Sequence, residues 1–160
     1  MNDINQLQLL IDAVTRSSYI EVLVANANAS QFDVPRQSKL DNSLIVGIQS
    51  YNVDHAAITP SQRANVANVV FNKSYLTLTD AKNNQFIEYL PLSAIEKIEN
   101  SGLRYKLNYE LVNFENSFIT VPETTGLVIN TNFFLRVDYV YLEDLKRSGI
   151  NVDELLLRFK

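Results

Sequence analysis

The chain carries one histidine, His55, and no cysteine. Those two facts restrict its chemistry severely. Thiolate catalysis, disulfides and cysteine-based metal sites are excluded. A Ser/His/Asp triad would have to use His55, and the adjacent Asp54 is a poor orienter, because neighbours along an extended chain do not face each other. No G-x-S-x-G elbow accompanies it. Transition-metal sites draw on several His or Cys ligands, and one imidazole does not make a set. A calcium site would take its oxygens from Asp, Asn and carbonyl groups of the 26–42 loop, where EF-hand spacing is missing. The four glycines stand apart, at 47, 102, 126 and 149, so none forms a phosphate-cradling loop. Glu88, Glu110 and Asp138 lie on predicted strands, and nothing in their spacing sets two at a working separation for glycoside hydrolysis. Arg136 and Asp138, two apart on one strand, read as an ion pair on a solvent face. We expect no catalytic residue, no cofactor and no metal: a protein that is not an enzyme.

Composition narrows the partners. The 160 residues fit a single domain, residues 1–160, with a proper core. A net charge of -4 argues against general nucleic-acid binding, which concentrates Lys and Arg on one face. No apolar run approaches the ~18 residues of a membrane-spanning helix. No basic segment followed by an apolar run opens the chain, so no secretory leader and a soluble protein are expected. Eight Tyr and eight Phe could stack on sugar rings or bases. Most of them fall on the apolar side of a predicted strand, where core packing explains them.

The elements that would position these groups are mainly β. Phe133–Leu142 alternates strictly: Phe133, Leu135, Val137, Tyr139 and Tyr141 on one side, Phe134, Arg136, Asp138 and Val140 on the other. Leu103–Leu111 alternates likewise, with Leu103, Tyr105, Leu107, Tyr109 and Leu111 on one face. Tyr19–Ala25, Leu44–Tyr51, Val66–Phe71, Tyr75–Thr79, Phe86–Leu90, Phe118–Val121 and Leu127–Ile129 read as further strands, with Gly47 marking a bulge or a close backbone approach. Asp80–Gln85 is a hairpin turn, and Ser93 with Glu96 predicts a cap for a brief helix. Residues 26–42 read as a long loop. Asn52, Asn72, Asn83, Asn84, Asn100, Asn130 and Asn132 are placed as turn residues, since Asn tolerates left-handed backbone and glycine is scarce.

Helices are confined to the ends. Residues 2–16 repeat Ile4, Leu7, Ile11 and Val14 at 3-4-3 spacing behind a cap at Asp3 with Gln6. Two heptads are too few for a free coiled coil, so these four residues are tentative assembly contacts of a docking or swapping arm. Asn151 with Glu154 caps a terminal helix, with Ile150 and Leu155 as its staple. The division is an arm over 1–17, a sandwich over 18–142 and a helical tail over 143–160. The fold class is an antiparallel β-sandwich or jelly roll with short N- and C-terminal helices.

Three stretches, YLTLTDAKNNQFIEYLPLSAI (75–95), FENSFITVPETTG (114–126) and NFFLRVDYVYL (132–142), carry a resemblance. The chain resembles the small β-sandwich structural proteins of tailless bacteriophage virions. That resemblance implies a capsid, vertex or spike component located in the virion, which self-assembles as a homo-oligomer and meets other virion proteins. The alternative is a carbohydrate- or ligand-binding β-sandwich module, which would show exposed aromatics clustered on one face.

Overall fold

The computed structural model describes residues 2–52, 63–96 and 105–158, except the side chains at 2–4, 105–109 and 158. His55, Pro60, Ile98, Asn100, Gly102, Leu103 and Phe159 lie outside the described residues. Among the described residues there are eight strands: β1 (Arg16–Leu23), β2 (Gln31–Asp33), β3 (Ser43–Tyr51), β4 (Tyr75–Thr79), β5 (Gln85–Pro91), β6 (Tyr105–Glu110), β7 (Phe118–Thr120) and β8 (Asn132–Tyr141). Four helices accompany them: α1 (Asn2–Val14), α2 (Asn68–Phe71), α3 (Leu142–Arg147) and α4 (Val152–Arg158).

The strands form two four-stranded antiparallel sheets, sheet A in the order β1-β8-β3-β6 and sheet B in the order β2-β7-β4-β5. The pairing is nested. β1 lies beside β8, β2 beside β7, β3 beside β6 and β4 beside β5, so the first half of the chain runs antiparallel to the second. The two sheets share one core, in a sandwich-like arrangement. Phe133, Leu135, Val137 and Tyr139 of β8 pack in the same cluster as Phe32, Leu76, Leu78 and Ile119 of sheet B. Each such burial stabilises by ~1.5–3 kcal/mol before entropy is counted. The face expected for β8 is the core face.

Its opposite face is buried as well. Phe134, Asp138 and Val140 are all shielded, and every residue of β3 is buried. Part of the cause is a helical layer: Ile11, Leu145, Ile150 and Leu155 pack on Leu44, Val46 and Val140 from the outside of sheet A. Gly47 sits at the predicted bulge, where the register shifts against both neighbours. For β6 the register sets Tyr105 opposite Ile48, and the side chains of Leu107 and Tyr109 lie outside the described residues.

Several expectations fail for local reasons. Val66–Phe71 was expected as a strand, yet 68–71 is one helical turn, α2, burying the consecutive Val70 and Phe71 as an end plug of the core. Leu127–Ile129 forms no strand, because turns at 125–126 and 129–130, with Gly126 and Asn130 in left-handed backbone, flank Leu127 and Val128. The 26–42 loop contains β2 and a 3-10 turn at Ser38–Leu40. Ser93 caps nothing; Leu92–Ile95 is a 3-10 turn that follows Pro91, and Glu96 is extended. Asp3 lies inside the first turn of α1 rather than before it. Of the turn asparagines, Asn83 and Asn130 adopt positive φ and so does Asn42, whereas Asn72 is right-handed and Asn132 is a buried strand residue.

Candidate functional site

The arm residues separate by face. On α1, Ile11 is buried and Leu7 and Val14 are half-buried against the helical layer of their own chain. The Ile4 side chain lies outside the described residues. Leu9 and Leu10 are more open to solvent, 69% and 45% exposed. They stand off the 3-4-3 stripe, and so the periodicity did not flag them. Leu157 on α4 is 79% exposed. A groove of about 250 Å³ runs between α1 and residues 148–155, walled by Leu7, Leu10, Ile150 and Leu155.

The turn that builds this groove is tightly specified. Gly149 takes a φ of 78° at the end of α3. Its N–H donates to the Lys146 carbonyl, and the Ile150 N–H reaches back to Leu145, both at 3.0 Å. These are the two bonds of a Schellman cap, and Ile150 packs in the same cluster as Leu145, as that motif favours. Asn151 then caps α4 by accepting from the Glu154 N–H at 3.2 Å. Asp153 and Glu154 in the first turn complement the helix dipole.

Beside the helical layer, the outer side of sheet A holds a polar cluster. The Ser17 hydroxyl donates to Asp138 Oδ1 at 2.5 Å and accepts from Arg136 Nη2 at 2.9 Å. Arg136 pairs with Asp138 at 3.3 Å; the carboxylate side chain is 2% exposed and the guanidinium 31%. The expected ion pair exists, but it is not on a solvent face. Burial alone would lower the Arg136 pKa, yet Asp138 and a hydrogen bond with Tyr51 leave it raised. Burial, then the neighbouring Tyr19, raises the Tyr51 phenol. The Phe134 ring lies parallel to Tyr19 at 5.5 Å and tilted to Tyr51 at 5.2 Å, which closes the cluster on its apolar side. Ser17 of β1 is thereby tied across the sheet to Arg136 and Asp138 of β8.

A larger groove, of about 670 Å³, lies at one end of the sandwich. Leu40, Phe114 and Leu142 are among its apolar walls, and Arg36, Asp41 and Glu115 add charge. Arg36 and Asp41 already pair at 3.2 Å. Asn83 accepts from the side chains of Asn113 and Asn116, tying the β6–β7 segment to the β4–β5 turn. Among the described residues no three His, Cys, Asp or Glu side chains gather as a metal site would require. No described helix is long and apolar enough to cross a membrane. No family model, curated protein or solved structure matches this chain.

Proposed function

We propose that this protein is a non-enzymatic structural component of a virus particle, a capsid, vertex or spike protein that assembles with copies of itself and with other virion proteins. The observation that carries this reading is the nested strand pairing. Eight strands paired first with last, in two four-stranded sheets, support the jelly-roll reading, an architecture that recurs in viral capsid domains. Fold alone does not fix function, so the surface has to support the reading too. It does so through the exposed Leu9 and Leu10 of α1 and Leu157 of α4, and through the mixed polar and apolar groove that Leu10 helps to line. Knobs next to a hole suit a two-fold contact, in which each copy presents both.

Solution mass across a concentration series tests the proposal. Full-length protein should gain mass with concentration, and a Leu9→Gln, Leu10→Gln double variant should gain less. A chain that stays monomeric up to millimolar concentration overturns the assembly reading. Equal association by the variant removes α1 from the interface.

A further inference from the structure

Among the described residues the helical layer packs on sheet A, and the outer side of sheet B carries an unusual tyrosine. Leu76 pairs with Leu90 and Leu78 with Ile87, so Glu88 and Tyr89 together stand opposite the single residue Thr77. This is a β-bulge, a device that re-aims a side chain. Tyr89 occupies left-handed backbone at φ 51°, a conformation a bulky residue adopts only when its surroundings impose it. Its N–H donates to the Thr77 hydroxyl at 3.3 Å. The result is a ring left 58% exposed at the middle of an edge strand. A fold seeking stability alone would place glycine or asparagine there.

Tyr89 is not isolated. Tyr75 meets it edge-on, with ring centroids 6.5 Å apart. Alternation puts Tyr75, Phe118, Gln31 and Asp33 on the same side of sheet B, since Leu76, Ile119 and Phe32 between them face the core. The register sets Gln31 on the rung of Tyr75, and Asp33 and Phe118 on the rung of Thr77. Gln31 and Asp33 are exposed, two strands or ~10 Å from the strand of Tyr75 and three strands or ~14 Å from that of Tyr89. The face therefore offers aromatic rings at one side and a paired amide and carboxylate at the other.

We propose that this face binds a neutral saccharide. Tyr89 and Tyr75 would stack against the C–H faces of the sugar rings, and Asp33 and Gln31 would hydrogen-bond their hydroxyls. Charge selects the ligand class. These rungs carry two carboxylates, Asp33 and Glu88, and no cation, so phosphate, sulfate and nucleic-acid backbones are repelled, while hydroxyls can donate to Asp33 and both donate to and accept from Gln31. The two polar groups favour a sugar over a proline-rich peptide, whose backbone has no N–H at proline to offer the carboxylate. The inference uses a surface remote from α1 and does not depend on self-assembly.

The test is affinity electrophoresis of the full-length protein through gels containing dextran, soluble starch, hydroxyethylcellulose or glycol chitin. Retardation by at least one polymer is expected, with a tenfold or greater loss of affinity in Tyr89→Ala and in Asp33→Ala. Tyr89→Gly is the decisive variant. Glycine accepts the positive φ, so this protein should keep its unfolding midpoint and still lose retardation. Migration unaffected by all four polymers overturns the proposal. So does retardation that survives Tyr89→Gly, or stronger binding to a polyproline peptide than to any of the sugars.

Discussion

Replacing Ile11 by alanine should destabilise the protein by about 3 kcal/mol, within the range for truncating a buried aliphatic side chain to alanine. Ile11 is 1% exposed among side chains from β3, β8, α3 and α4, a setting held from several directions that collapses poorly around a lost side chain. For a chain of this length each kcal/mol moves the thermal midpoint by ~2–4 °C, which predicts a fall of ~6–12 °C. Leu9→Gln with Leu10→Gln should cost under ~1 kcal/mol, because both side chains already keep much of their surface in water. Thermal melts followed by circular dichroism at low concentration read the monomer, and sedimentation velocity at high concentration reads association. The expected outcome is a crossed pattern: Ile11→Ala lowers the midpoint, and the double variant lowers association. An Ile11→Ala protein that melts with the wild type would refute the docking of α1 on sheet A. The reasoning fails equally if the double variant melts as early as Ile11→Ala.

Removing Asp138 leaves Ser17 without its acceptor and Arg136 without its counter-ion; Asp138→Ala should cost about 3 kcal/mol in urea denaturation, the lower end for a buried pair since Arg136 keeps part of its side chain in water. Gly149→Ala should cost ~1–2 kcal/mol by the same measurement: a Cβ there meets nothing within 4 Å, so the penalty is the left-handed backbone alone. Stability should also decline in alkali. The folded state holds the Tyr51 proton more tightly than the unfolded chain does, so the contribution is complete below ~pH 10 and drains away as pH rises through the folded pKa. Burial, then a hydrogen bond with Tyr141, shifts Tyr139 in the same direction. Tyr51→Phe should flatten the alkaline limb of the midpoint–pH curve, and an unchanged limb would assign it to other groups.

Period-two alternation in Phe133–Leu142 was enough to identify β8 and its core face, because a side chain on a strand has only two directions and the apolar set fills one of them. The bulge at Gly47, the hairpin between Thr79 and Gln85 and the Asn151 cap were equally legible, each depending on residues within a few positions. The sequence alone also excluded thiol chemistry and left one imidazole. Partners distant in sequence decided the rest. Arg136 and Asp138 read as a surface pair until Ser17, more than a hundred residues away, closed over them. Val66–Phe71 has strand composition, but Asn65 bridges to Asn132 and the chain must then turn to bury Val70 and Phe71 together. The α1 stripe promised an apolar contact without naming its owner, and packing gave Ile11 to the chain's own sheet. Tyr89 gave no local signal at all. Its exposure follows from a count of residues in two strands, two against one across Thr77, and that count exists only once the strands are paired.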